Sequence, residues 1–370
     1  MHLYHLSLQW FKNYSAAQAT FPEKITSLVG NNGAGKTNIL DAVHYLSFCK
    51  SYFNAADSQN ITHGNEQFSI LGKFRSPSGN APESVHCVVR KSQRKLFRVN
   101  GKEVDRLADH IGKIPSVMVS PYDHVLIDGG SEERRRYLDV VISQYDRTYL
   151  DDLIHYNRAL MQRNALLRQM AAENRFSAAL LEPWDEQMIN PGTRIFETRS
   201  RFIEDFIPVF YSLYRQLAGD AEPSAITYVS QLQSAPVYRD ILAGSLEKDR
   251  ILRYSSAGVH KDDLTLSISG VNVKRFGSQG QQKSFILALK LAQFRFLHHA
   301  LGIKPILLLD DVFDKLDRNR IERLMEMVNS DDFGQILITD TNASRIHTIF
   351  SGIAAQTDII QIDNGNIARL

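Results

Sequence analysis

The feature that most constrains the fold of this chain is the glycine-rich segment Gly30-Asn31-Asn32-Gly33-Ala34-Gly35-Lys36-Thr37. It fits the pattern G-x-x-x-x-G-K-[ST], and it lies between an apolar run, 25–29, and a stretch with helical spacing, 38–48. In a strand, loop and helix of this kind, backbone N–H groups and the helix N-terminus converge on phosphate oxygens. The segment therefore predicts an α/β fold that binds a nucleoside triphosphate, but by itself it fits kinases, GTPases, helicases and transporters alike.

Two further elements complete the predicted chemistry. Lys36 is expected to reach the β- and γ-phosphates, and the hydroxyl of Thr37 is expected to ligate Mg²⁺. The apolar run 306–309 is followed by Asp310 and Asp311, which predicts a buried parallel strand that ends in two carboxylates. We expect Asp310 to hold Mg²⁺ together with Thr37, directly or through water, and Lys36, Asp310 and Asp311 to be the catalytic residues.

The segment Phe276-Gly277-Ser278-Gln279-Gly280-Gln281-Gln282-Lys283-Ser284 narrows the class of ATPase. Ser278, Gly280 and Gln281 offer a hydroxyl, an uncrowded backbone amide and a side-chain amide to γ-phosphate oxygens, just before a predicted helix. In isolation this stretch is only a glycine loop. Upstream of an acidic strand it is typical of the ATP-binding-cassette class, in which this signature covers ATP held by another subunit. The sequence therefore predicts an ATP-dependent homodimer, with Ser278, Gln279, Gly280 and Gln281 on the nucleotide.

The other sequence motifs of the ATP-binding-cassette class match this chain less well. Asp311 stands where Glu is usual, as general base or water-positioning group, and its shorter side chain predicts slow hydrolysis; alternatively, it only caps a loop. Asp317, in the segment 313–317, is predicted to touch the partner subunit as a D-loop, or else to be a helix N-cap. No His follows the predicted strand 335–339, so Thr339, Asp340 or Thr341 serves as the switch residue, or none does. The segment 120–123 offers no convincing Q-loop glutamine.

Composition constrains the partners and the compartment only weakly. The formal net charge is +2 over 370 residues, so contact with DNA requires a local basic patch. Cys49 and Cys87 lack metal-type spacing, which predicts two buried thiols in a reducing compartment. No apolar run approaches the ~18–20 residues that span a bilayer, and no signal-peptide pattern opens the chain. These observations predict a cytoplasmic protein without a membrane partner.

The hydrophobic pattern divides the chain into three parts. Residues 1–130 and 251–370 are predicted to be the two halves of an α/β ATPase head, and residues 131–250 a helical arm inserted between phosphate loop and signature. A long amphipathic helix is predicted over 149–170, and Pro191-Gly192 is expected to break or kink the helix after it, with a second kink at Pro208. Asn100-Gly101 predicts a type I′ hairpin turn.

Nearly the whole chain resembles the RecF family, the bacterial recombination-mediator ATPases of the SMC/ABC group. Beyond the ATPase motifs, the resemblance rests on segments such as Phe11-Lys12-Asn13-Tyr14, Tyr156 to Asn164, Trp184-Asp185 and Gly258-Val259-His260-Lys261-Asp262-Asp263. The chain departs from the family pattern at Val259, at Lys261 and in the segment 313–315. The last of these departures makes the D-loop less regular.

The resemblance implies ATP-driven dimerisation, binding to single-stranded, double-stranded and gapped DNA, and work with RecR and RecO to load RecA. For DNA contact the sequence offers a cluster around the hairpin and a second cluster on a predicted arm helix: Arg90, Lys91, Arg94, Lys95 and Arg98, then Arg134, Arg135 and Arg136. Charge runs of this kind are also common on solvated surfaces. The loop 260–262 either reports the nucleotide state or shapes a hairpin.

Two other classes share some of these motifs. The ATPase subunit of a membrane transporter carries the phosphate loop, the signature and the acidic strand, but its helical insertion is far shorter than the segment 38–275 found here. A structural SMC-like protein needs heptads sustained over many turns, and the predicted helix at 149–170 stops too early. Both alternatives are therefore disfavoured.

Overall fold

The structure, a computed structural model, describes residues 1–75, 83–219, 222–234, 237–313, 316–350 and 357–369. It divides into two compact units: the first comprises Met1–Asp123, Leu213–Gly219 and Gln279–Leu370, and the second His124–Ser212 and Asp220–Ser278. Most of the predicted arm, 131–250, falls in the second unit. That unit also begins earlier than predicted and continues to Ser278, inside the signature.

The described strands are, in chain order, β1 (His2–Phe11), β2 (Tyr14–Thr20), β3 (Ile25–Val29), β4 (Gln67–Arg75), β5 (Glu83–Arg90), β6 (Leu96–Val99), β7 (Lys102–Glu103), β8 (Ser116–Val119), β9 (Ser224–Val229), β10 (Asp263–Ile268), β11 (Val271–Asn272), β12 (Ile306–Leu309), β13 (Ile336–Asp340), β14 (Thr357–Asp363) and β15 (Asn366–Arg369). The described α-helices are α1 (Lys36–Phe48), α2 (Val125–Asp128), α3 (Ser131–Ile142), α4 (Arg147–Ala172), α5 (Glu182–Ala218), α6 (Tyr238–Leu252), α7 (Val273–Phe276), α8 (Gln279–Leu301), α9 (Arg318–Asn329) and α10 (Ala343–Phe350).

Two six-stranded sheets form the first unit. One is antiparallel, in the order β2-β1-β4-β5-β6-β7, and the other, β15-β14-β3-β13-β12-β8, is parallel except for β15. Helix α1 contacts strands of both sheets, and its apolar side chains belong to the same buried core. Cys49 and Cys87 lie in that core as free thiols, which confirms their predicted burial.

The parallel sheet places the carboxyl ends of its central strands at one edge. Every residue of β3, β12 and β13 is buried, as expected for parallel strands covered on both faces. Leu309 pairs with Ile338, and Asp340 pairs with Val29. The residues that follow β3 and β12, and the last residues of β13, therefore lie side by side, and this edge carries the predicted phosphate loop and acidic pair.

The second unit contains α2, α3, α4, α6 and α7 in full and most of α5. It also contains a three-stranded antiparallel sheet, β11-β10-β9. The sequence did not predict β9, so this part of the chain is less purely helical than expected. Of the break or kink predicted at Pro191-Gly192, the break is wrong: α5 runs without interruption through both Pro191 and Pro208. Its apolar stripe, which includes Met188, Ile195 and Phe202, is fully buried, and such packing outweighs the hydrogen bonds that the prolines remove.

Other local predictions are confirmed. The helix after the phosphate loop is α1, and the long amphipathic helix is α4. Asn100 and Gly101 have φ angles of 50° and 78° between β6 and β7, the two positive values that a type I′ turn requires.

Candidate nucleotide-binding site

The phosphate loop connects β3 to α1 in the first unit. Its lysine points back along the loop: Lys36 Nζ donates to the carbonyl oxygens of Gly30 (2.8 Å) and Asn31 (2.9 Å). Burial lowers the pKa of Lys36, and the carboxylates of Asp311, Asp310 and Asp340 act in the opposite direction. The ammonium group therefore lies within the loop that is to hold the phosphates, close enough to three carboxylates to interact with their charges.

Side chains at the start of the chain hydrogen-bond to the backbone of this loop. Asn13 Nδ2 donates to the Ala34 carbonyl (2.9 Å), and the Tyr14 hydroxyl donates to the Gly35 carbonyl (3.0 Å). Gly35 has a φ of 116°, and a Cβ on it would lie 2.6 Å from Asn13 Nδ2 and 2.8 Å from the Tyr14 hydroxyl oxygen. Only glycine fits this position. The segment Phe11 to Tyr14, noted in the sequence for its resemblance, thus shapes the loop.

Asp310 follows β12 and accepts two hydroxyl hydrogen bonds. Thr37 Oγ1 and Thr339 Oγ1 each lie 2.8 Å from Asp310 Oδ1. Burial raises the pKa of Asp310, and these two hydrogen bonds oppose that shift. The hydroxyl of Thr37 beside a carboxylate is the oxygen set that Mg²⁺ takes from proteins when phosphates and waters supply its remaining ligands. The residues present therefore fit a Mg²⁺ ion held by Thr37 and Asp310.

Asp311 adopts an uncommon backbone conformation, with a φ of 47°. A non-glycine residue in the left-handed region is strained by about 1–3 kcal/mol and persists where the surroundings fix it. Here the Asp311 N–H donates to Thr339 Oγ1 at 2.9 Å. One buried hydroxyl therefore holds both acids, because it donates to the Asp310 carboxylate and accepts from the Asp311 backbone.

An open cavity of about 160 Å³ lies at this edge of the sheet. Its lining combines the phosphate loop, the two acids and the end of β13: Asn32, Gly33, Gly35, Lys36, Thr37, Asn38, Asp310, Asp311, Thr339 and Thr341. Of the three possible switch residues, Asp340 does not line the cavity, because both its carboxylate oxygens bind Arg345 (2.7 and 3.0 Å). Thr339 is buried against the acids, and Thr341 is exposed at the cavity wall.

The signature lies at the start of α8, which begins at Gln279. Ser278 and Gln279 are exposed, and Gly280 and Gln281 are half-buried. N–H groups in the first turn of a helix have no partner within that helix, and they suit an anion. Among the described residues, none of these four lines the cavity around Lys36.

No pattern in the sequence indicates the contact that anchors α8 in the first unit. Lys290 Nζ lies 2.7 Å from Asp123 Oδ1, with both side chains almost fully buried, and Asp123 Oδ2 accepts from the Ser120 N–H at 2.8 Å. The segment 120–123 lies where a Q-loop glutamine is expected, and a buried ion pair binds it to the signature helix. The partners are 167 positions apart in the chain, so only the fold brings them together.

The predicted D-loop is described in part, because Asp314 and Lys315 lie outside the described residues. Asp317 is the N-cap of α9: its carboxylate accepts from the Arg320 N–H at 2.9 Å. This is the local role that the sequence left as the alternative, and it is compatible with a further contact by the exposed side chain. The partner contact remains a prediction.

The basic residues near the hairpin differ in how they are held. Lys95 is half-buried, 2.7 Å from an Asp57 carboxylate oxygen, and it donates to the Cys49 carbonyl. Lys91 forms an exposed ion pair with Glu66. The remaining members of this cluster, Arg90, Arg94 and Arg98, are exposed. Lys95 therefore supports the core of the unit, and the three arginines present their charge to solvent.

The second basic cluster, on α3, is largely structural. Arg134 forms a two-point ion pair with Asp263 (2.6 and 3.0 Å), and Arg135 Nη1 donates to the Asp262 carbonyl at 2.7 Å. Arg136 is exposed. The first two arginines of the run thus bind the segment at 262–263 within the second unit, a pairing across about 130 positions that the charge run does not reveal.

The loop that contains Gly258 to Asp263 is held from inside the second unit. Asp262 Oδ2 accepts from Arg199 Nη1 (2.8 Å) and from the Tyr228 hydroxyl (2.5 Å). His260 Nδ1 lies 2.7 Å from the Tyr156 hydroxyl, and its Nε2 lies 3.0 Å from the Ser255 carbonyl oxygen. Since a carbonyl only accepts, Nε2 carries the proton, and Tyr156 donates to Nδ1.

Gly258 allows this arrangement. Its φ is 126°, and a Cβ there would lie 1.9 Å from the Tyr238 hydroxyl oxygen. The sequence left two hypotheses for residues 260–262: they report the nucleotide state, or they shape the local structure. These contacts favour the second hypothesis.

Comparison with known proteins supports the resemblance seen in the sequence. The family model of the RecF/RecN/SMC N terminal domain matches residues 2–356. A protein of Phocaeicola vulgatus named DNA replication and repair protein RecF is 48% identical over 370 residues, which cover 100% of this chain and 98% of the relative. The chain belongs to the RecF family. A family member from Flavobacterium johnsoniae, with the same name, is 47% identical over 94% of this chain and 96% of its own length.

Solved structures agree with membership in the RecF family. The recombination mediator protein RecF of the RecFOR pathway, solved as RecF-ATPrS, has a TM-score of 0.89 and 28% identity over 100% of this chain and 98% of its own. The Smc head domain of Pyrococcus furiosus, at 17% identity and a TM-score of 0.58 over 100% of this chain and 96% of that chain, shares the fold. The family assignment sets aside the transporter alternative. Among the described residues, no helix is long and apolar enough to cross a membrane.

Proposed function

We propose that this chain is an ATP-dependent recombination mediator of DNA repair that works as a nucleotide-driven dimer. One observation carries the proposal: Lys36, Thr37 and Asp310 meet at one cavity, while the exposed signature residues lie outside the lining of that cavity. A site of this class needs both halves. A second copy supplies the missing half, with its Ser278 placed over the phosphates that Lys36 holds.

In the proposed cycle, ATP binds with Mg²⁺, which supplies charge neutralisation of the phosphates when bound. Lys36 would turn from the loop carbonyls to the β- and γ-phosphates, and Thr37 and Asp310 would hold the metal. Asp311 orients the attacking water or takes its proton. Because its side chain is short and its backbone conformation is fixed by Thr339, we expect slow hydrolysis that resets the dimer.

The proposed partners follow from membership in the RecF family. They are DNA with single-stranded, double-stranded and gapped regions, RecR as the direct protein partner, and RecO and RecA in the same pathway, all in the cytoplasm. Residues 131–250 serve as the arm in this proposal. Arg90, Arg94, Arg98 and Arg136 are its first candidates for phosphate contacts, since the structure leaves them exposed. Such contacts are independent of sequence and sensitive to salt.

The test is binding of a labelled gapped DNA, with and without ATP and Mg²⁺, at several salt concentrations. We expect ATP to strengthen binding in the wild type but not in Lys36→Ala, which removes the phosphate-binding ammonium. Ser278→Arg should keep ATP binding and lose the ATP effect on DNA. Equal DNA binding by all three proteins, with no dependence on ATP, would contradict the proposal.

A further inference from the structure

The loop from Gly258 to Asp263 presents one exposed residue on an otherwise fixed backbone. Val259 is buried, and His260, Asp262 and Asp263 are tied inward by the contacts described above. Lys261 is exposed. Its direction is therefore set by a buried hydrogen-bond network, and little further ordering of the backbone is needed for it to bind a ligand.

An aromatic ring and a second cation stand beside this lysine. Lys261 Nζ lies 4.8 Å from the centroid of the Tyr254 ring, which is 42% exposed. Arg135 is fixed to the same loop through the Asp262 carbonyl, at 2.7 Å. Burial lowers the pKa of Lys261, and the positive charges of Arg135 and Lys248 lower it further. We call Lys261, Arg135 and Tyr254 the Lys261 patch.

Two of the acids close to this patch already bind other arginines. Asp262 binds Arg199 at 2.8 Å, and Asp249 binds Arg163 at 2.7 Å. Among the described residues, Lys261 has no carboxylate within ion-pair distance. The patch therefore presents two cations, neither of them in a side-chain ion pair among the described residues, next to an exposed ring. This is the combination that single-stranded nucleic acid uses: phosphates bind the cations, and a base stacks on the ring.

We propose that the Lys261 patch is a binding site for the DNA backbone, with Lys261 and Arg135 on phosphates and Tyr254 stacked against a base of a single-stranded segment. The proposal rests on the proposed function, which makes DNA the partner, and it adds Lys261 and Tyr254, which the basic runs of the sequence do not contain. Single-stranded DNA is favoured over duplex, because the bases of a duplex are stacked on each other and leave no face for Tyr254.

The experiment measures fluorescence anisotropy of a labelled thirty-nucleotide oligo-dT and of a matched duplex, at four salt concentrations, with the full chain. The variants are Lys261→Gln, Lys261→Arg, Tyr254→Ala and Tyr254→Phe. Arg158→Gln is the matched control, because Arg158 is an exposed cation of the same unit on α4, outside the patch. Melting temperature and ATP-dependent mass are recorded for each protein, to show that the fold and the ATP-dependent dimer are intact.

We expect Lys261→Gln to weaken binding of oligo-dT about fivefold at 0.1 M salt, since losing one phosphate contact removes about 0.7 from the slope of log K against log salt. Tyr254→Ala should weaken it about fivefold or more without changing that slope, because stacking is worth ~1–3 kcal/mol per base. Lys261→Arg and Tyr254→Phe should bind like the wild type, as should Arg158→Gln.

Two results would overturn the inference and leave the proposed function standing: wild-type affinity in Lys261→Gln and Tyr254→Ala, or an equal loss in Arg158→Gln. A wild type that binds neither DNA would overturn both proposals. Two further arms test other anions. If 10 mM inorganic phosphate competes fully with oligo-dT, or if Lys261→Gln loses binding to phosphatidylserine vesicles but not to DNA, the site is not a DNA site.

Discussion

Replacing Thr339 by valine removes one hydroxyl and keeps the shape of the side chain. That hydroxyl donates to Asp310 Oδ1 at 2.8 Å and accepts from the Asp311 N–H at 2.9 Å. Without it, the Asp310 carboxylate keeps only its contact with Thr37, and the half-buried Asp311 N–H loses its acceptor. We therefore predict that Thr339→Val impairs the use of Mg²⁺ and turnover while leaving phosphate binding by the loop intact.

The size of the effect follows from the two bonds. A hydrogen bond to a charged group contributes ~1.5–3 kcal/mol, and each 1.4 kcal/mol is about a factor of ten in an equilibrium or a rate. Loss of the bond to Asp310 thus predicts a rise of about 10- to 100-fold in the Mg²⁺ concentration at half-maximal activity. This agrees with the loss usual for residues that orient a metal ligand. The loss of the acceptor of the half-buried Asp311 N–H should lower the free energy of unfolding by about 1 kcal/mol.

The assay is steady-state ATP hydrolysis against Mg²⁺ concentration, with binding of a fluorescent ATP analogue in EDTA measured separately. Thr339→Ser retains the hydroxyl and should restore the wild-type Mg²⁺ requirement. Thr26→Val is the matched control: Thr26 lies buried on β3, and its hydroxyl has no hydrogen-bond partner among the described residues. If Thr339→Val shows the Mg²⁺ requirement and turnover of the wild type, Thr339 does not position the acids.

Three further predictions concern stability and can be measured by urea unfolding. Gly258→Ala should lower the free energy of unfolding by about 2–5 kcal/mol, because the new Cβ would lie 1.9 Å from the Tyr238 hydroxyl oxygen and the backbone has a φ of 126°. Gly244→Ala is the control: its Cβ meets no atom within 4 Å, so this change should stabilise α6. Equal effects of the two changes would refute this reasoning. Burial lowers the pKa of His260 to about 4, so the unfolded chain takes up this proton first as pH falls from about 6.5. Between pH 6.5 and 4 this residue should lower the free energy of unfolding by about 3 kcal/mol, in addition to the loss from His44 and His110, whose pKa burial also lowers to about 4. His260→Gln should therefore have a flatter profile than the wild type, and identical profiles would contradict this. Lys290→Met leaves the buried Asp123 carboxylate without its cation, which should lower the free energy of unfolding by about 3–5 kcal/mol. Adding Asp123→Asn should recover part of that loss. No recovery would show that the broken ion pair is not the cause.

The sequence predicted those features that depend on local chemistry. The phosphate loop specifies its own glycines, lysine and following helix, and α1 begins at Lys36 as that pattern requires. The stripe of α4 and the turn at Asn100-Gly101 are likewise set by neighbours in the chain. The apolar run before Asp310 specified a buried strand, which is β12.

Features that depend on distant partners could not be predicted in this way. Arg134 belongs to a run of three arginines, and nothing in that run shows that it pairs with Asp263, 129 positions away. Thr339 was one of three possible switch residues, and its bond to Asp310 exists only because β12 and β13 are neighbours in the sheet. The absence of a break at Pro191 has the same origin, since the packing of α5 outweighs the local helix-breaking preference of proline.

The most direct test of the central claim is the mass of the chain in solution, measured by light scattering with and without ATP and Mg²⁺. The monomer has a mass of 42.0 kDa. Asp311→Asn should accumulate the ATP-bound form by blocking hydrolysis, so we expect it to shift to about twice that mass with ATP and Mg²⁺, and Ser278→Arg to remain monomeric. An unchanged mass in both the wild type and Asp311→Asn at saturating ATP would contradict the account.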